Sequence, residues 1–118
     1  MVIMGIDDST TMRKIIGMAV KEDHTFIEAE NGKDALDKLS GSPKVDAFLV
    51  DVNMPVMGGI DFVKEIRKSS AYSTTPVIII TTETNMELKD LALAAGANAW
   101  LIKPFEKAHL IEALGKLF

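Results

Sequence analysis

The sequence predicts an α/β fold, an open, doubly wound parallel sheet of five strands flanked by five helices. Three observations predict it. Short apolar runs alternate with stretches of helical periodicity five times along 118 residues. Several of those runs are continuously apolar rather than alternating, as strands buried on both faces must be. Turn-forming residues separate the segments. Successive parallel strands require right-handed crossovers that cover one face or the other, and the strand order expected is 2-1-3-4-5. A closed barrel of such units needs more repeats than the chain supplies.

The elements follow in order. Val2 to Ile6 is a short apolar run that stops at Asp7-Asp8, after which Met12, Ile15, Ile16, Ala19 and Val20 recur at helical spacing. Thr25 to Ala29 reads as the second strand, broken by Asn31-Gly32 before Ala35, Leu36 and Leu39 mark a second amphipathic helix. A polar turn over Ser40 to Lys44 leads to Ala47-Phe48-Leu49-Val50, ending at Asp51; a Pro- and Gly-rich loop through Gly59 precedes a helix carrying Ile60, Phe62, Val63 and Ile66. Pro76 opens Val77-Ile78-Ile79-Ile80, the most β-branched run, and Thr81-Thr82 closes it. Thr84 to Glu87 reads as a capping box for a helix buried through Leu88, Leu91, Ala92 and Ala95, with Gly96 as its C-terminal cap. Ala99 to Ile102 is the fifth strand. Pro104 is expected to start the last helix, with Phe105, Leu110, Ile111, Leu114, Leu117 and Phe118 on or near its apolar side.

Size and composition fit one domain over residues 1–118, with nearly half the residues apolar and a quarter charged. A net charge of −4 gives no general attraction to nucleic acid or anionic lipid. The absence of cysteine excludes disulfides and thiolate metal sites. The apolar N-terminus is too short for a signal peptide and no stretch is long enough to span a bilayer, so a cytoplasmic location is expected.

In a doubly wound sheet the residues just past each strand meet along one edge, with the switch point between strands 1 and 3. Those residues are Asp7 and Asp8, Asp51, Thr81 and Lys103, whereas strand 2 contributes only Glu30, away from the crevice. Three crowded carboxylates repel one another, and a divalent cation preferring oxygen ligands relieves the repulsion; magnesium fits best. Singly, each acid is equally well a solvated loop residue or, as with Asp8 before Ser9 and Thr10, a helix cap. The delivery of a phosphoryl-compatible group by four strand ends favours a site.

These residues carry a resemblance. Asp7-Asp8, the string Asp51-Val52-Asn53-Met54-Pro55-Val56-Met57-Gly58-Gly59, Thr81 and Lys103-Pro104 resemble, in order and spacing over essentially the whole chain, the receiver domain of bacterial response regulators. Asp7-Asp8-Ser9-Thr10-Thr11-Met12-Arg13, Thr81-Thr82-Glu83 and Lys103-Pro104-Phe105 are most similar to the single-domain chemotaxis regulators within that family. The resemblance implies a flavodoxin-like sheet and a two-component switch that accepts a phosphoryl group on Asp51 from a sensor histidine kinase. It implies magnesium, or manganese in its place, held by Asp7, Asp8, Asp51 and the backbone carbonyl of Asn53, Asp7 acting mainly through water. Lys103 would contact the phosphoryl oxygens, Thr81 would report occupancy, and the protein would be no enzyme beyond its own phosphorylation and dephosphorylation.

Gly58 and Gly59 suit a tight turn after Asp51. Trp100 stands where the family usually carries Tyr or Phe on the partner-binding face of helix 4, strand 5 and helix 5; a larger indole with an N–H to satisfy is equally compatible with a ring that does not swing. Asn53 and Glu83 occupy the positions where the family tunes phosphoryl lifetime, and a polar pair there implies a short-lived signal, although both are also ordinary loop residues. His24 and His109 read as surface residues, and the seven Met as core or loop filling.

The implied partners are a kinase of the chemotaxis type, a flagellar motor switch protein or other output protein, and a phosphatase, with the chain itself a monomer. A phosphorelay role and a receiver cut from a longer regulator are alternatives. From other classes, a flavodoxin-like cofactor binder could use Ser9-Thr10-Thr11 as a phosphate loop, but Asp7 and Asp8 would repel an unshielded phosphate. A phosphohydrolase of the haloacid dehalogenase type would need a second acid two places past the nucleophile, where Asn53 cannot serve.

Overall fold

The computed structural model describes residues 1–117; Phe118, expected near the apolar side of the last helix, lies outside the described residues. Five strands and five helices alternate as β1 (Val2–Ile6), α1 (Thr10–Val20), β2 (Thr25–Ala29), α2 (Gly32–Leu39), β3 (Ala47–Val50), α3 (Gly59–Arg67), β4 (Val77–Thr81), α4 (Met86–Ala95), β5 (Ala99–Ile102) and α5 (Lys107–Lys116). All strand pairs are parallel and the sheet runs β2-β1-β3-β4-β5, the order the sequence predicts. Among the described residues no helix is long and apolar enough to cross a membrane.

The central strands are buried on both faces, and their side chains divide by the two-residue period of the pleat. Phe48, Val50, Val77 and Ile79 join Ala35 of α2, Phe62, Val63 and Ile66 of α3 and Ala92 of α4 in one core layer. Leu49, Ile78 and Ile80 join Ile16 and Val20 of α1 and Leu110 and Leu114 of α5 in the other. The first layer is centred on Phe48, whose ring meets those of Phe62 and Tyr72 edge-on, each at 5.4 Å between centroids. Such pairs add about 1 kcal/mol each beyond area burial.

Several expectations about helix ends and faces are corrected. Asn85, not Thr84, caps α4: its side-chain oxygen accepts from the N–H groups of Glu87 at 2.8 Å and Leu88 at 3.4 Å. An amide oxygen one residue closer to those donors displaces the hydroxyl. Pro104 does not start α5; it follows a cis Lys103–Pro104 bond in a turn, and the helix begins at Lys107. Ile15, Leu91 and Ile111, read as core-facing, are exposed at 45, 55 and 40 %. Each precedes a residue nearer the line of contact (Ile16, Ala92) or follows one (Leu110), and one residue turns a helix by about 100°. α4 buries only the small Ala92 completely.

Two features fix the surroundings of the sheet edge. The C-terminal end of α4 is clamped by Arg67, whose Nε and Nη2 donate to the Gly96 carbonyl at 3.2 and 2.7 Å while Nη1 donates to that of Tyr72 at 2.8 Å. Gly96 itself takes the left-handed φ of 118° that ends the helix, as expected. After β3 the chain doubles back so closely that a Cβ on Gly59 would lie 2.1 Å from the Asp51 carbonyl oxygen. Within this loop Val56, β-branched and exposed, sits at φ 67°.

Two substitutions should therefore move stability in opposite directions in urea unfolding. Val56→Gly removes a strained left-handed valine and should add about 1 kcal/mol. Gly59→Ala forces the loop after Asp51 away from its helix and should cost about 2–3 kcal/mol.

Candidate functional site

At the C-terminal edge of the sheet, β1 delivers Asp7 and Asp8, β3 delivers Asp51, Thr81 is the last residue of β4, and Lys103 follows β5. The Asp51 N–H donates to the Ile6 carbonyl at 2.9 Å, and the Asp7 N–H to that of Ala29 at 3.1 Å, so the sheet ladder itself spaces the acids. One carboxylate oxygen from each of Asp7, Asp8 and Asp51 falls within 4.8 Å of the others. Asp7 is 2 % and Asp51 8 % exposed, whereas Asp8 faces solvent.

Lys103 reaches into this cluster from the far side of the sheet. Its Nζ lies 2.6 Å from Asp7 Oδ2 and 3.4 Å from Asp51 Oδ2. Asp7 Oδ1 accepts from the Ser9 N–H at 2.9 Å, so both oxygens of Asp7 are engaged by the protein. Of the three acids Asp7 is thus the most fully occupied by protein donors. Burial holds the Asp51 carboxyl above the usual aspartate range, and neighbouring Asp7 pushes the same way, against the lowering influence of Lys103 and the Thr81 hydroxyl. Three carboxylates against one ammonium leave two negative charges uncompensated. An all-oxygen set with that deficit suits a hard divalent cation such as magnesium.

Thr81 is fully buried, and its Oγ1 accepts from the Glu83 N–H at 3.1 Å, so its own proton is the part that faces Asp51. Glu83 Oε1 in turn accepts from the N–H of Asn85, the cap of α4, at 3.2 Å, so the loop from Thr81 to that helix is one hydrogen-bonded unit. Asn53 is exposed two residues beyond Asp51, and among the described residues its carbonyl accepts no backbone hydrogen bond, which leaves it available as a ligand. Gly58 caps α3 without a side-chain bond. Trp100, half-buried on edge strand β5, pairs with Ile79 and packs on the core layer of α2, α3 and α4.

His109 is exposed on α5, as expected, but His24 is half-buried at the opposite end of the strands, with its Nδ1 enclosed and unpaired. Neither reaches the acidic cluster. One residue of the site received no role from the sequence. Arg13, its side chain 14 % exposed, donates to the Asp7 carbonyl at 2.6 Å. Its position four residues after the Ser9 cap is the available signal, since i and i+4 share a helix face.

The chain matches the response regulator receiver domain over residues 3–115. It is 39 % identical to chemotaxis protein CheY1 of Helicobacter pylori, covering 97 % of this chain and 94 % of that protein. It is 37 % identical to the CheY homologue of Campylobacter jejuni, over 97 % of this chain and 89 % of the relative. Among solved structures, chemotaxis protein CheY4 of Vibrio cholerae superposes with a TM-score of 0.93 at 36 % identity, covering 99 % of this chain and 98 % of that one.

The raised Asp51 carboxyl has a signed consequence for stability. Because the native state holds this proton more tightly than the unfolded chain, ionised Asp51 costs stability, and the cost grows as pH rises past the unfolded value near about 4. In chelator at pH 7, Asp51→Asn should unfold at higher urea than the wild type, and the difference should vanish below about pH 4. Magnesium should raise the melting temperature of the wild type and do so less for Asp51→Asn.

Proposed function

The chain belongs to the response regulator receiver domain family, and from that premise we propose that it is a phosphorylation-dependent switch of a two-component system, accepting a phosphoryl group on Asp51. The convergence of a buried aspartate, two further acids, a hydroxyl and an ammonium at one sheet edge supports this reading most directly. A sensor histidine kinase is the donor. An Asp51 carboxylate oxygen attacks the phosphorus of the donor's phosphohistidine; the new P–O bond forms as the P–N bond breaks, and the imidazole leaves with the electron pair and takes a proton from solvent.

The chain's own residues supply position and charge. Asp8, Asp51 and the Asn53 carbonyl, with Asp7 through water, would hold magnesium, or manganese in its place. When bound, the cation offsets charge on the transferring group. Lys103, already between Asp7 and Asp51, needs only a short shift to reach a phosphoryl oxygen. Thr81 can turn its hydroxyl proton to the same group, and through Glu83 and Asn85 that turn bears on the start of α4. The face of α4, β5 and α5, including Trp100, then engages the output protein. Chemistry is confined to the protein's own phosphorylation and dephosphorylation.

The chemotaxis proteins among its relatives support a cytoplasmic role in chemotaxis, with a chemotaxis-type kinase, a flagellar motor switch protein and a phosphatase as partners.

Intact mass after incubation with acetyl phosphate is the test. One magnesium-dependent phosphoryl adduct is expected on the wild type and none on Asp51→Asn; an adduct on the variant, or one indifferent to magnesium, would refute the assignment. If Asn53 and Glu83 place the attacking water, replacing both with Ala should slow loss of the adduct by about tenfold or more.

A further inference from the structure

Asp8 is the one acid of the cluster that faces solvent, and among the described residues its carboxylate accepts no hydrogen bond and forms no ion pair. What aims it must lie in the backbone. Its N–H belongs to the peptide unit whose carbonyl is that of Asp7, and that carbonyl accepts from Arg13 Nη1 at 2.6 Å. The guanidinium is itself fixed at two further points: Nη2 donates to Thr10 Oγ1 at 3.2 Å and Nε to Glu28 Oε1 of β2 at 3.1 Å. With the Asp7 N–H held by Ala29 of the same strand, both peptide groups of Asp7 are tied to the β2 side of the sheet.

We infer that Arg13 is a positioning residue of the cation site, fixing the peptide plane between Asp7 and Asp8 and so directing the Asp8 carboxylate toward Asp51. The inference rests on the divalent-cation reading of the acidic cluster. Rotation of that peptide unit would carry the Asp8 side chain with it, and three donors on a rigid planar fork resist rotation in a way a single flexible donor cannot. Supporting groups of this kind typically change metal affinity by about 10- to 100-fold when removed.

Charge alone predicts the opposite outcome, which makes the inference testable. Arg13 is a cation beside a cation site, and its removal should on Coulombic grounds tighten magnesium binding. If it aims Asp8, removal should weaken binding instead. Calorimetric titration of the full chain with magnesium chloride should give a dissociation constant about tenfold higher for Arg13→Met, with a smaller rise for Arg13→Lys, which keeps the charge and one donor. Hydrogen exchange in chelator should show faster exchange at the Ser9 amide, which bonds Asp7 Oδ1, with β3 unaffected. Unchanged or tighter binding by Arg13→Met would overturn the inference while leaving the cation site intact; no binding by the wild type would overturn both. Should Arg13→Met fail to fold, Arg13→Lys decides alone: binding equal to the wild type overturns the inference.

Discussion

The Lys103 ammonium, almost enclosed between Asp7 and Asp51, joins residues 96 positions apart in the chain and opposite sides of the acidic crevice. A buried ion pair gains little net stability, since desolvation offsets most of the attraction, but breaking one leaves an uncompensated charge. Here one ammonium faces more than one carboxylate, so the edge stays short of positive charge. That deficit is the constraint around which the site is arranged. Burial, with the neighbouring Asp7 charge, keeps Asp51 reluctant to ionise, and the deficit leaves the cluster suited to a cation.

The parallel sheet is what permits such crowding. The Asp7 and Asp51 amides are fixed by neighbouring strands, so carboxylates that would spread apart on a flexible loop are held together by backbone hydrogen bonds. Continuous apolar strands under two layers of helices supply the stability that offsets this local repulsion. Gly59 adds a further restriction, for the helix after the Asp51 loop approaches the Asp51 carbonyl more closely than any side chain would allow.

Most of this was legible in the residues. Strands announced themselves because burial on both faces demands uninterrupted apolar runs, and the sheet order then brought Asp7, Asp8, Asp51, Thr81 and Lys103 together without knowledge of any side-chain contact. Helix faces were less legible. Ile15 and Leu91 obey helical spacing yet point outward, since periodicity defines a stripe broader than the line along which a helix touches a sheet. The cap of α4 shifted by one residue because Thr84 and Asn85 are both competent, and local geometry chose between them. Arg13 stayed hidden for a different reason: its partners include a backbone carbonyl and a residue of strand β2, distant in sequence from this helix, and neither leaves a mark in residue type.

The Arg67 clamp gives α4 unequal ends. Its C-terminus is pinned through the Gly96 carbonyl to α3, while its N-terminus is held by Asn85 and the Thr81–Glu83 loop. Geometrically the helix is a lever with its fulcrum beside β5. Ten residues give an arm of about 15 Å, so each degree of tilt moves Met86 by roughly 0.25 Å while Gly96 stays still. Were the Thr81 end to move by a fraction of an ångström, α4 would turn by a few degrees, and the exposed Met86 and Leu93 would shift by different amounts along the same surface. Such a tilt would alter the slope of that surface rather than its height.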